Sequence, residues 1–534
     1  MRKIEIFDST LRDGAQGEGI SFSLSDKLKI LTALDAFGVD FAEAGNPYSN
    51  PKDLEFFKRA KTLGLKTNLV AFGSTKRAEI PPEDDENLRA LIAADTQYVA
   101  IFGKSWDFHV TQILQVTPEE NLSMIEQTIK YLVNLGKKVI FDAEHFFDGY
   151  KNNPEYALET LKAAEKAGAE TLCLCDTNGG CFPDEISDIV KNVYKSLSTV
   201  NCPLSAVIGI HCHNDSGCAV ANSMAAVSAG VNHIQGTFIG IGERTGNANL
   251  AVLIANLQLK SGYDCVPPES LPLLKETAHY IAETANMALP ASMPYVGSSA
   301  FAHKGGMHVD GVCKAPATFE HVAPASVGNE RNVLLSEVSG RAAVITKLQK
   351  IIPDLEKSDP LVQKLTEKIK ALEHEGYQFE AAGASFELLV LKELGWFTPY
   401  FEITDFKIIS SNNSSAGAQI KVRVNDKYEI TADEGDGPVN AIDKALRKAL
   451  ERFYPILQKM RLTDYKVRII NGGASDGNAG LNTAAVTRVL IESTDGKTSW
   501  TTVGASKDII NASMFALLDS LEYMLYINNE VNFN

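Results

Sequence analysis

Lys138-Val139-Ile140-Phe141-Asp142-Ala143-Glu144 opens as a near-continuous apolar run and ends on a carboxylate. A strand without polar alternation suits a parallel sheet buried on both faces. Short β-branched or apolar runs of the same kind begin near Ile4, Val39, Lys66, Tyr98, Thr171, Val207 and His233, roughly 26 to 40 residues apart. Stretches such as Asp26 to Phe37 and Glu119 to Leu135 carry the 3.6-residue periodicity of amphipathic helices between them. Eight βα units in about 250 residues are what a closed (β/α)8 TIM barrel requires. A doubly wound open sheet is the runner-up, but its early GxGxxG turn is absent.

Beyond about Pro267 the strand signal fades, and helical stretches such as Pro360 to Glu375 dominate as far as Leu394. This reads as a helical connector with an exposed joint near Pro353 and Pro360. The last 140 residues or so contain a repeat. Thr404-Asp405-Phe406-Lys407-Ile408-Ile409 echoes Thr463-Asp464-Tyr465-Lys466-Val467-Arg468-Ile469, an offset of 59. Val439-Asn440-Ala441 through Leu450 matches Ile510-Asn511-Ala512 through Leu521, an offset of 71. The difference of 12 fits a Gly-rich loop, Asn471 to Leu481, inserted in the second copy. Each copy reads as strands followed by one helix, giving a pseudo-symmetric α+β domain whose two units pack together. The expected division is a barrel over 1–266, a connector over 267–395 and a duplicated domain over 396–534.

The composition is ordinary for a globular chain, with 45% hydrophobic and 22% charged residues among 534. With 51 basic against 67 acidic residues the net charge is -16, which argues against a nucleic-acid partner. No apolar stretch approaches the roughly 18 residues of a membrane span. Met1-Arg2-Lys3-Ile4-Glu5-Ile6-Phe7 lacks an apolar signal core and reads as the first strand of a cytoplasmic protein. Eight cysteines without a CxxC pair point to reduced thiols.

Catalytic groups of such a barrel sit at the C-terminal ends of its strands. Those ends carry Asp8 with Arg12-Asp13, then Glu43, Glu144, Asp176-Thr177, His211-Cys212-His213 and a Gly-rich turn ending at Asn247. Residues i and i+2 of a strand share a face, so His211 and His213 can reach one ion. With Asp13 and Asn247 they form a mixed nitrogen and oxygen set suited to a catalytic divalent metal such as Mn²⁺, Mg²⁺ or Zn²⁺.

Phe7-Asp8-Ser9-Thr10-Leu11-Arg12-Asp13-Gly14-Ala15-Gln16, His211-Cys212-His213-Asn214-Asp215 and Gly242-Glu243-Arg244-Thr245-Gly246-Asn247 together resemble the metal-dependent Claisen-condensing barrels. That family includes the 2-isopropylmalate, homocitrate and citramalate synthases. More distantly, the first motif is similar to hydroxymethylglutaryl-CoA lyase and the carboxyltransferase domain of pyruvate carboxylase. The likeness extends over essentially the full chain, because the duplicated C-terminal domain resembles the family's regulatory domain. It implies metal ligation by Asp13, His211, His213 and Asn247, with acetyl-CoA and a small 2-oxo acid as substrates. It further implies that Arg12 polarises the keto oxygen, that Glu43 orients Arg12, and that Gln16 and Thr177 hold the substrate carboxylate. Glu144 falls where the family places a carboxylate beside the reacting carbons; its alternative is a second partner for Arg12 or a histidine. Phe301-Ala302-His303-Lys304-Gly305-Gly306-Met307-His308-Val309-Asp310-Gly311 resembles the segment that sends a histidine, here His308, into the active site of a homodimer partner, with Asp310 setting its tautomer. Where family members often carry a tyrosine this chain has Phe319, so a tyrosine relay does not carry over. A branched-chain amino acid is the implied effector.

Within the family, Phe141-Asp142-Ala143-Glu144-His145-Phe146-Phe147 looks like the citramalate branch, which takes pyruvate. The expectation is that Phe146 or Phe147, with Phe102 from the fourth strand, fills the space an isopropyl group needs. The alternative is that Phe146 and Phe147 face the layer between barrel and helices.

Overall fold

Strands that lack polar alternation need cover on both faces, and the computed structural model provides it by closing them into a ring inside a layer of helices. The structure describes residues 2–197, 204–333, 341–349, 351–356, 359–411, 414–470, 485–496 and 498–528. The strands are β1 (Glu5–Asp8), β2 (Phe41–Glu43), β3 (Asn68–Ser74), β4 (Tyr98–Lys104), β5 (Lys138–Glu144), β6 (Thr171–Asp176), β7 (Val207–Cys212) and β8 (His233–Gly236). Each begins within two residues of the position read from the sequence. All pair in parallel, and β1 pairs with both β2 and β8, so the ring has no edge.

The N-terminal half of the barrel interior is mostly apolar. Phe7, Phe41, Val70, Tyr98, Ala100 and Ile140 pack there, with Phe41 edge-on to Tyr98 at 5.0 Å. The buried His233 ring joins them, 5.4 Å from Phe7 and with its Nδ1 3.1 Å from Glu5 Oε2, while the site's polar side chains gather at the other end. Outside, helix Leu24–Phe37 begins in a capping box: Ser23 Oγ accepts from the Asp26 amide at 3.1 Å, and Asp26 Oδ2 accepts from the Ser23 amide at 2.9 Å. Its Ile30, Leu31, Leu34 and Phe37 join the core between helices and sheet. Phe146 and Phe147 lie in that same core and are fully buried. The side chains expected to narrow a pocket instead fasten helix Phe146–Asn152 to the sheet.

The chain divides into two compact units, 1–301 with 320–331 and 302–319 with 332–534. The second unit contains a two-stranded parallel pair, β9 (Ala302–His303) with β10 (Asn332–Val333), and helices Gly306–Lys314, Arg341–Leu348, Pro360–His374 and Gly383–Glu393. Two antiparallel sheets follow: β11 (Glu402–Ser411), β12 (Ser414–Val424) and β13 (Lys427–Gly435), then β14 (Arg461–Ile470), β15 (Val486–Thr494) and β16 (Ser499–Ser506). Each sheet is followed by a helix, Pro438–Leu450 or Ile509–Asn528.

The duplication extends to single contacts. The β11–β12 ladder shifts register between Ile403 and Asp405, and the β14–β15 ladder between Leu462 and Asp464, 59 residues on. At those shifts Thr404 Oγ1 donates to Lys421 O and Thr463 Oγ1 to Glu492 O, both at 3.2 Å. Thr431 Oγ1 donates to Ala445 O and Thr502 Oγ1 to Ala516 O, both at 2.7 Å. The Gly-rich loop Asn471 to Leu481 lies outside the described residues. Among the described residues no helix is long and apolar enough to cross a membrane, and seven cysteines are free thiols.

Candidate active site

The turn after β1 is fixed by its own side chains. Thr10 donates through its amide and hydroxyl to the two oxygens of Asp8, at 2.8 and 3.0 Å. Arg12 and Gly14 amides return to Ser9 O, and the Asp13 amide to Ser9 Oγ at 3.2 Å. Burial pushes the Asp8 carboxyl up to about 7. The turn points Arg12 and Asp13 over the mouth of the barrel. Arg12 Nε donates to Glu43 Oε2 at 2.7 Å and its Nη1 to Asp13 Oδ2 at 3.0 Å. Beneath it, the guanidinium carbon stands 3.9 Å from the centre of the Phe72 ring.

Glu43, at the end of β2, is fully buried and serves Ser9 as well as Arg12. Removing one member of a buried ion pair strands the other charge in a poor solvent. Glu43→Gln is therefore expected to lower unfolding free energy by about 3–5 kcal/mol. Urea unfolding measures this; a loss near zero would show that Arg12 does not depend on the carboxylate.

β7 delivers His211, and His213 follows it one residue beyond the strand. Their Nε2 atoms are 3.4 Å apart and lie 3.7 and 3.8 Å from Asp13 Oδ2. All three side chains are buried, and their donor atoms converge as ligands of one metal ion would. Burial raises the Asp13 carboxyl, but Arg12 and the two imidazoles outweigh it and hold it down to about 2. Burial lowers His211 to about 3 and lowers His213 as well, so both rings are neutral near pH 7. An ionised carboxylate with two neutral imidazoles is the protonation state that metal ligation needs.

Asn247 completes the group. Its Nδ2 donates to Asp13 Oδ1 at 2.9 Å and to Ile241 O at 3.2 Å, which leaves Oδ1 buried without a partner among the described residues. An orphaned buried acceptor calls for an explanation, and an ion is one. Two glycines allow this placement. A Cβ on Gly246, at φ +86°, would stand 2.0 Å from Gly240 O, and one on Gly242 would stand 2.2 Å from Asn247 Nδ2.

Arg12, Asp13, His211 and His213 border a cavity of about 370 Å³. Phe72 stacks on Phe102 at 5.2 Å to form an aromatic wall. Glu144 is ion-paired with Lys104 across the ends of β5 and β4. Gln16 and Thr177 also line the cavity; Thr177 Oγ1 accepts from the His145 amide at 2.8 Å. Arg244 forks onto Asp215 at 2.8 and 2.9 Å and donates to Thr177 O. A second cavity of about 330 Å³ shares Arg12, Gln16, Asn46 and Phe72 with the first. His308 and Asp310 belong to the second unit, on helix Gly306–Lys314. There the exposed His308 ring stacks on Phe319 at 4.2 Å, and Asp310 pairs with Lys314.

Sequence reasoning missed Phe72, Lys104, Asp142 and Arg244. Lys104 and Asp142 stand at or near strand ends and follow from that rule once the strands are placed. Phe72 lies within β3, and nothing in its local pattern marks it.

A closed parallel barrel with a buried Asp-His-His group at the C-terminal ends of its strands defines an enzyme of the HMGL-like class, whose family model matches residues 3–273. Residues 295–377 match the homocitrate synthase post-HMGL domain-like model and 380–525 the LeuA allosteric (dimerisation) domain. The (R)-citramalate synthase of Aquifex aeolicus is 50% identical over 534 residues, covering 99% of both chains. That of Geobacter sulfurreducens is 46% identical over 537 residues with the same coverage. A probable 2-isopropylmalate synthase of Methanopyrus kandleri is 30% identical, covering 97% of each. The chain belongs to the (R)-citramalate synthase family.

Proposed function

We propose that this chain condenses acetyl-CoA with pyruvate and hydrolyses the resulting thioester, releasing citramalate and free CoA, as a step toward isoleucine. The observation that carries this reading is Arg12, clamped by Glu43 beside the convergent Asp13, His211 and His213. The orphaned Asn247 Oδ1 makes it a fourth ligand. A divalent Mn²⁺, Mg²⁺ or Zn²⁺ bound there supplies Lewis acidity to the 2-oxo acid.

The chain's own residues do the rest. Arg12 aims aligned donors at the keto oxygen and stabilises the alkoxide that forms when the acetyl enolate carbon adds to the carbonyl carbon. Gln16 and Thr177 hold the carboxylate, and Phe102 with Phe72 bounds the small end of the pocket. Glu144, poised against Lys104, faces the methyl group that loses its proton. The adjoining cavity that shares Gln16 and Asn46 suits the arm of the thioester. Water then attacks the thioester carbonyl, and the C–S bond breaks to give the carboxylate and the thiol.

The unit of function is a homodimer in which the partner subunit's His308, with its Asp310, completes each site. A barrel over 1–266, a connector over 267–395 and a regulatory domain over 396–534 divide the labour, with isoleucine as the effector of the last.

Thiol release from acetyl-CoA against a panel of 2-oxo acids tests this. Pyruvate is expected to give the highest kcat/KM. 2-Oxoisovalerate should fall about 10 to 200-fold below it, the discrimination one or two methylenes confer, with some activity left on 2-oxobutyrate. Equal or greater kcat/KM for 2-oxoisovalerate overturns the substrate assignment.

A further inference from the structure

We infer that Asp142 and Gln235 are positioning residues that hold His211 in the tautomer with its proton on Nδ1. The inference rests on the proposed metal site. Gln235, on β8, is paired in register with His211 on β7, and both are buried. Asp142 reaches the amide from β5, which is not a neighbour of β8 in the ring. Gln235 Nε2 donates to Asp142 Oδ1 at 2.8 Å, and Gln235 Oε1 stands 3.1 Å from His211 Nδ1.

An amide has one donating end and one accepting end. Burial and nearby Glu43 push the Asp142 carboxyl up to about 7, but its Oδ1 is the acceptor in this contact, so the end of Gln235 that meets it is the NH₂. The opposite end is then the carbonyl, which can only accept, and His211 Nδ1 must donate to it. A neutral imidazole with its proton on Nδ1 carries its lone pair on Nε2. That is the atom facing Asp13 and His213. Were the amide reversed, its NH₂ would meet Nδ1, the proton would move to Nε2, and the lone pair would point away from the ion. Asp142 thus acts on His211 through an intervening amide, the role a carboxylate often plays behind a metal-bound histidine. His213 has no such device among the described residues, where its Nδ1 is buried without a partner. His211 is the ligand set in advance.

Neutron diffraction from crystals of the metal-free protein, exchanged into deuterium oxide, reads the tautomer directly. A deuteron on His211 Nδ1, with the Gln235 carbonyl toward it, is expected. A deuteron on Nε2 alone overturns the inference. In parallel, Mn²⁺ dissociation constants from equilibrium dialysis are expected to rise about 10 to 100-fold in Gln235→Leu and Asp142→Leu. Gln235→Glu keeps an acceptor against Nδ1 and is expected to recover most of that loss. An unchanged constant in a Gln235→Leu protein with an unaltered thermal midpoint also overturns it. If the unaltered protein binds no divalent ion, the metal reading falls, and the deuteron position alone decides the tautomer.

Discussion

Arg12→Lys is expected to lower kcat by about 10² or more while the protein stays folded, although the positive charge is kept. The reason is geometric. Arg12 spends Nε on Glu43 and Nη1 on Asp13, and it lies flat on Phe72. Its remaining N–H groups therefore point in one fixed direction. Burial works against its charge, but Glu43 and Asp13 more than offset that and keep it protonated. A lysine ammonium is a mobile point charge that can pair with Glu43 or face the cavity, but cannot do both in one fixed geometry. Because the lost hydrogen bonds strengthen as the alkoxide forms, kcat should fall with kcat/KM, leaving KM nearly unchanged. Steady-state kinetics with pyruvate, alongside a thermal midpoint, checks this. A kcat near the unaltered value would place the electrophilic work elsewhere in the site.

The barrel was legible because its signal is repeated. One apolar run such as Lys138 to Phe141 could belong to a helix or a strand, but eight at regular spacing fit few folds. The duplication was legible for the same reason, down to the threonines at the two register shifts. What sequence could not supply was direction. Phe146 and Phe147 follow Glu144 immediately, and their proximity to a site carboxylate suggested a pocket wall. In the structure His145 adopts a left-handed backbone conformation, φ +55°, just after β5. The following helix then presents both rings to the core rather than to the cavity. The wall is built by Phe72 and Phe102, which stack across adjacent strands. Charges at strand ends are predictable because water and substrate reach only there; which aromatic faces inward depends on a backbone turn that composition does not encode. The tautomer device on His211 was hidden for a related reason, since Asp142 and Gln235 are 93 residues apart and meet only across the ring.

Chelation followed by removal of bound ions is expected to abolish thiol release, and Asp13→Asn to reduce both metal affinity and turnover. Asp13 is the only carboxylate in the convergent group, since His211 and His213 are neutral rings and Asn247 offers an amide oxygen. Replacing it by asparagine keeps the shape but removes the one full negative charge that balances a dication. Arg12 also loses the charge of its second partner, so the variant damages both electrophilic elements of the site. Lewis acidity of this kind contributes several kcal/mol to a developing alkoxide. At about 1.4 kcal/mol for each factor of ten, the loss should be about 10³-fold or more in kcat. Two measurements separate the causes. Equilibrium dialysis of Mn²⁺ reads affinity without turnover, and titrating the metal back into the stripped unaltered protein should restore the rate in proportion to occupancy. In Asp13→Asn, excess metal should restore only part of it, because Arg12 remains misplaced even when the ion is forced in. Full activity in a rigorously metal-free preparation would leave Arg12 as the sole electrophile, and the convergence of Asp13, His211, His213 and Asn247 would then need another explanation.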